Sequence, residues 1–244
     1  MTDAPIAAPS ANSSGKPSPT RAEHVLKDLN GKLGLILDGG ACGVGLESTV
    51  VDTLHEDGNV RILRPGGVTV EDIEKALREE VLESSSIPKV LVHKRDYRDE
   101  AIEQAPTTPG MKYRHYSPAV PVVLLHTSTP PTGINQVAVT SYLETLKSRT
   151  LDSGRPPKVG LLMASDSPIL PIATGVERVT WHVHSLGSAD TPAVAAQRLF
   201  DGLLTLEGME VDLILIEELK EEREGLAVMN RVRKAAGESV WVKV

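Results

Sequence analysis

Near the middle of the chain, Lys112-Tyr113-Arg114-His115-Tyr116 places two permanent cations, an imidazole and two phenols in five consecutive positions. The run is bounded by Pro109 and Pro118 and has no apolar period. A segment that only had to span a distance would be built from Gly, Ser and Glu. These side chains suit contact with an anion beside a flat ring, cations for phosphate or carboxylate and aromatic faces for a base. An interdomain linker whose aromatics anchor it on both sides uses the same residues, and spacing alone leaves both readings open.

Other groups with chemistry precede it. Ser10, Asn12, Ser13 and Ser14 offer hydroxyls and an amide before Gly15, in a stretch that reads either as a phosphate-binding turn or as an ordinary one. Arg64 stands where a strand should stop, a common place for an anion contact or for a surface residue closing a turn. The glycines from Gly39 to Gly45 fit neither the dinucleotide fingerprint nor the P-loop. His182 and His184 face one side of a strand, but no third ligand stands at fixed spacing, so no protein-bound metal is expected.

The elements that must carry these groups fall into two patterns. In the first part, Ile6–Ala8, Leu33–Leu37, Thr49–Val51, Asn59–Leu63 and Val90–Val92 read as short strands. Ser18-Pro19 reads as a helix start with Ala22, Val25, Leu26 and Leu29 on one face and Gly31 as its end. Thr69 with Asp72 forms a capping box for a second helix, with Ile73, Ala76, Leu77 and Val81 facing inward. After Pro118 the periodicity is cleaner. Strands are expected at Val120–Leu125, Val159–Met163, Val179–Val183 and Val211–Ile216, with an edge strand at Trp241-Val242. Helices are expected over Asn135–Leu146, from Thr191-Pro192 onward, and over Leu226–Ala236. Such alternation is the signature of a parallel sheet covered by helices, with ligands beyond the carboxyl ends of the strands. There, Ser165, Asp166, Asn230 and Arg231 are the candidates.

Composition limits the function classes. With 40% hydrophobic but only 3% aromatic residues, the core must be aliphatic. A net charge of -7 argues against a non-specific nucleic-acid binder, which needs a basic surface, and leaves room for a local basic groove. A single cysteine, Cys42, fits a reducing compartment. No apolar run is long enough for a membrane span, and residues 1–10 lack a secretory pattern, so a cytoplasmic location, with a mitochondrial pool allowed, is expected.

Four longer motifs, taken together, point further. Pro5-Ile6-Ala7-Ala8-Pro9-Ser10-Ala11-Asn12, Leu46-Glu47-Ser48-Thr49-Val50-Val51-Asp52, Leu63-Arg64-Pro65-Gly66 and Pro109 through Pro118 strongly resemble the two-domain Sua5/YrdC family of threonylcarbamoyl-adenylate synthases, in the family's order. Gly225 to Ala236 resembles the family's closing helix, so the resemblance covers essentially the whole chain. It implies an α/β fold: a YrdC-like twisted-sheet domain over residues 1–104, a linker over 105–119 that crosses back over the active site, and a Rossmann-like Sua5 domain over 120–244. It also implies the reaction, condensation of L-threonine, bicarbonate or CO2, and ATP into threonylcarbamoyl-AMP with release of pyrophosphate. Mg2+ rides on the ATP phosphates. A tRNA threonylcarbamoyl-transferase complex then uses the product for t6A modification, with no stable tRNA binding by the synthase itself.

By position, the resemblance makes Ser10, Asn12, Ser18, Arg64 and Tyr116 ATP contacts. Ala8 and Ser48 fall where threonine is held, and Lys112, Arg114 and His115 are further linker contacts. The family's Pro-Thr-Glu-Thr-x-Tyr-Gly segment and Lys-x-Arg motif, which belong upstream of Pro5, have no counterpart here. The expectation is therefore the back half of a catalytic domain with a complete linker and second domain. Such a chain is expected to bind ATP and threonine poorly and not to make the adenylate alone. The alternative is a non-catalytic binding or regulatory module built on the second domain.

Overall fold

The computed structural model describes residues 4–80, 87–93, 95–98, 115–147 and 154–244. Two sheets organise them, one of three strands and one of six. The mixed α/β character agrees with the sequence reading.

The small sheet holds β1 (Val50–Asp52), β2 (Val60–Arg64) and β3 (Val90–Val92) in that order. β1 and β2 run antiparallel and β2 and β3 parallel. Strict alternation along β2 turns Val60, Ile62 and Arg64 inward. α2 (Val70–Glu80) covers this sheet with Val70, Ile73 and Leu77. Its start is the expected capping box: the Asp72 amide donates to Thr69 Oγ1 at 3.1 Å, and the Thr69 amide donates to Asp72 Oδ2 at 3.0 Å. Ala76, expected on the inward face, is exposed.

Three expectations for this part fail. Residues 5–10 and 33–37 form no strand, and Ile6, Leu33, Leu35 and Leu37 are exposed. Their composition suits a strand, but no neighbouring strand pairs with them among the described residues, and a strand is completed only by its ladder. The helix expected from Ser18-Pro19 is α1, Ala22–Leu29, with Arg21 rather than Ser18 at its N-cap. The Ser18 hydroxyl donates to Glu47 instead, and His24 Nδ1 accepts the Thr20 amide at 3.2 Å. Gly31 follows the helix with φ +76°, as its position suggested.

The large sheet is parallel throughout its named pairings. Its order is β5-β9-β4-β8-β6-β7, from β4 (Val122–His126), β5 (Val137–Ala138), β6 (Lys158–Met163), β7 (Thr180–Ser185), β8 (Leu213–Glu217) and β9 (Glu238–Lys243). One face, with Leu124, Leu162, Ile214 and Ile216, packs under α5 (Pro192–Gly208) and α6 (Glu224–Ala235). The other, with Val123, Leu125, Leu161 and Leu215, packs under α3 (Val139–Lys147) and α4 (Ile169–Thr174). α5 begins at Thr191-Pro192 as expected, and α6 ends on Arg233 and Lys234 at the terminus that favours cations.

Here the corrections are small. The β-branched start of the helix expected over 135–146 is instead β5, paired with β9. β9 is flanked by β5 and β4 and so is not the edge. The short helix α4 lies between β6 and β7, in a stretch for which no element was expected.

The two parts interlock. Leu226 of α6 joins the small sheet's apolar cluster, and Leu46 packs against the large sheet's. Gly45 (φ +78°) lies so close to α5 that a Cβ there would sit 2.5 Å from the Gln197 Cα.

Candidate functional site

Glu47 lies where two loops of the small-sheet part meet the large-sheet part. The Ser18 hydroxyl donates to its Oε1 at 2.9 Å. From α6, Arg231 donates to its Oε2 through Nε at 3.2 Å and through a terminal nitrogen at 3.0 Å. The other terminal nitrogen of Arg231 donates to the Pro65 carbonyl. Burial pushes the Glu47 carboxyl up, but Arg231 and the Ser18 hydroxyl outweigh it and hold the group below the usual carboxylate range. Arg231 itself is wholly buried.

The loop carrying Arg64 is pressed against the loop carrying Ser48. Arg64 donates to the Ser48 carbonyl at 2.9 Å. The Gly67 amide donates to the Glu47 carbonyl at 3.2 Å. A Cβ on Gly66 would overlap the backbone of Glu47, Ser48 and Thr49, so only glycine permits this approach.

The described end of the central stretch closes the same place. Tyr116, at φ +62°, is 1% exposed. Its ring lies 5.1 Å from Phe200 of α5 and 5.8 Å beneath the Arg231 guanidinium, and its phenol lies within reach of the Glu47 charge. Burial, reinforced by the Glu47 charge, pushes its phenol up to about 12. His115 stacks edge-on against it, and burial lowers its imidazole, with Lys234 and Arg64 adding to the effect against Glu47. It is therefore a neutral donor–acceptor at neutral pH. The Ser117 amide donates to the Gly15 carbonyl at 2.9 Å, joining the stretch to the N-terminal turn.

That turn already holds an oxyanion. The Ser13 amide and hydroxyl and the Lys16 ammonium converge on the Asp28 carboxylate, with Lys16 Nζ at 2.6 Å. Lys16 first, then the Ser13 amide, draws Asp28 below its ordinary range. Asn12 turns inward onto the Ser13 and Lys16 carbonyls. Ala8 and Ser10 sit exposed on the extended segment. Lys112 and Arg114 lie outside the described residues.

Ser18, Ser48, Arg64, His115 and Tyr116 are thus brought to one place. Sequence reasoning assigns Glu47 no role. It groups Arg231 with Ser165 and Asp166 at the strand ends, whereas Arg231 reaches the other part of the molecule. Asp166 instead accepts from the Ser188 hydroxyl at 2.7 Å and the Ala189 amide at 2.9 Å. The only sequence signal for the Glu47–Arg231 pair was an acid and a base inside two long motifs. No group of three or more His, Cys, Asp or Glu placed to hold a metal occurs among the described residues.

Residues 68–237 match the family model described as threonylcarbamoyl-AMP synthase, C-terminal domain, and residues 1–66 match one described as telomere recombination. The chain belongs to the Sua5 family of threonylcarbamoyl-AMP synthases. Similar proteins include the threonylcarbamoyl-AMP synthases of Schizosaccharomyces pombe, 40% identical over 97% of this chain and 53% of that protein, and of Pyrococcus abyssi, 39% identical over 97% and 59%. A crystal structure of P. abyssi Sua5 complexed with L-threonine resembles the fold with a TM-score of 0.63, at 34% identity over 96% of this chain and 58% of that one. The chain therefore spans little more than half the length of these relatives. No helix among its described residues is long and apolar enough to cross a membrane.

Proposed function

We propose that this Sua5 chain carries the nucleotide side of a threonylcarbamoyl-AMP synthase. In this reading the threonine amine and CO2 form a carbamate, and a carbamate oxygen attacks the α-phosphorus of ATP. The bond to the bridging oxygen breaks, and pyrophosphate leaves with the electron pair. Arg64 faces the developing phosphate charge, and the hydroxyls of Ser10 and Ser18 with the Asn12 amide hold ribose and phosphate oxygens. Ala8 and Ser48 border threonine. Lys112, Arg114 and His115 line the linker side, and Tyr116 closes it and keeps water from a labile mixed anhydride. Mg2+, when bound, neutralises charge on the phosphates. No covalent nucleophile is required; the rate comes from placement and electrostatics. Residues 1–104 form the catalytic portion, 105–119 the linker and 120–244 the second domain. The product passes to a tRNA threonylcarbamoyl-transferase complex.

The observation that carries the reading is the convergence of four residues far apart in sequence: the Ser18 hydroxyl donates to the Glu47 carboxylate, the Tyr116 phenol lies near that charge, and Arg64 donates to the adjoining Ser48 carbonyl. The test is pyrophosphate release from ATP that depends on both threonine and bicarbonate. It is measured on the 244-residue chain alone and on the chain joined to the portion of a relative that it does not span. Release only from the joined protein is expected. No threonine-dependent release from the joined protein would overturn the synthase reading and favour a non-catalytic module. Release from the chain alone would show that the portion of its relatives that it does not span is dispensable for the reaction.

A further inference from the structure

We infer that Arg231, on the closing helix of the second domain, is a positioning residue for the site on the first. One fully buried guanidinium bridges both loops that carry the site. Through two nitrogens it holds the Glu47 carboxylate on the Ser48 loop, and through the third it holds the Pro65 carbonyl on the Arg64 loop. Those loops also meet directly, through Arg64 on the Ser48 carbonyl and through the backbone approach at Gly66. The planar fork of arginine can donate in these directions at once, which a lysine ammonium reproduces only in part.

Glu47 extends the hold outward. Its second oxygen takes the Ser18 hydroxyl, and its charge lies beside the Tyr116 phenol. The guanidinium also lies over the Tyr116 ring. Arg231 therefore sets, through Glu47 and the Pro65 carbonyl, the place of Ser18, Arg64 and Tyr116, which would meet the nucleotide, and of Ser48, which would border threonine, while touching neither ligand. This gives the second domain a task that needs no chemistry of its own: it holds two loops of the first in register. The ligand part of this inference rests on the proposed function; the loop-holding part does not.

Amide exchange on the intact chain tests it with wild type, Arg231→Met and Arg231→Lys. With no ligand present, R231M is expected to speed exchange at the Gly67 amide and across 47–49 at least tenfold, while amides of β4, β6 and β8 stay protected. R231K is expected to recover part of the loss. Millimolar ATP should then protect the 47–49 and 64–67 segments in wild type, weakly in R231K and not in R231M. Unchanged loop exchange in a folded R231M would overturn the positioning role. Uniform loss of protection, including the large sheet, would also overturn it, since Arg231 would then be holding up its own domain. Loosened loops in R231M without any ATP protection in wild type would sustain the positioning role and count against the nucleotide site instead.

Discussion

The two parts of the molecule use similar residues with opposite outcomes. In the large-sheet part, β4, β6 and β8 are buried almost along their whole length, between apolar clusters on both faces. In the small-sheet part, Ile6, Leu33, Leu35, Leu37 and Leu54 point into solvent. Apolar patterning becomes structure where neighbours exist to pair with and pack against, and remains an exposed segment where they do not. The small-sheet part draws order from its partner instead, through Leu46, Leu226, Gly45 and the Glu47–Arg231 pair.

The largest expected effect lies in the shared core. Phe200 is wholly buried and supports Tyr116. Phe200→Ala should cost roughly 3–5 kcal/mol in denaturant unfolding. A loss under about 1 kcal/mol would mean that the two parts are less tightly joined than the packing implies.

Tyr116 gives a pH test of the same junction. Its phenol is raised to about 12, first by burial and then by Glu47. A raised tyrosine contributes stability that is fully present below its ordinary value of about 10 and is lost as pH rises through about 12. That contribution amounts to roughly 2–3 kcal/mol for a shift of this size. The difference in melting temperature between wild type and Tyr116→Phe should therefore change between pH 10 and 12. A flat difference would place the ring in solvent.

Gly66 tests the contact between the two site loops. Gly66→Ala forces a methyl against backbone that has no rotamer to yield, so a loss of about 1–3 kcal/mol is expected, together with weaker ATP binding. Stability equal to wild type would show that the loops stand apart.

The smallest effect sharpens the contrast. Leu35 is three-quarters exposed, and Leu35→Ser should change stability by no more than about 0.5 kcal/mol, while Leu161→Ser in the large sheet should be severely destabilising. A large loss at Leu35 would mean that its side chain is packed in solution rather than exposed.

Much of the fold was legible because its signals are local. The Thr69–Asp72 box, Pro192 at the start of α5, Gly31 after α1 and the apolar strands of the parallel sheet each announce themselves within a few residues. What failed depended on partners distant in sequence. Ser18 looked like a helix cap until Glu47 claimed its hydroxyl, and Leu33–Leu37 looked like a strand without a ladder to join. The site divides in the same way. The family resemblance pointed to Ser18, Ser48, Arg64 and Tyr116, but the residues that bind them together, Glu47 and Arg231, stand 184 positions apart. A single sequence offers no way to pair two such charges; only the closed fold does.

On the proposed function, the nucleotide belongs to the junction around Glu47 rather than to the crevice at the carboxyl ends of the parallel strands. Photolabelling of the chain with 8-azido-ATP, mapped by peptide mass spectrometry, tests this directly. Label competed by ATP is expected within residues 10–18, 46–49, 64–67 and 115–118. Competed label at residues 164–167 and 187–190 instead would contradict it and move the nucleotide to the second domain.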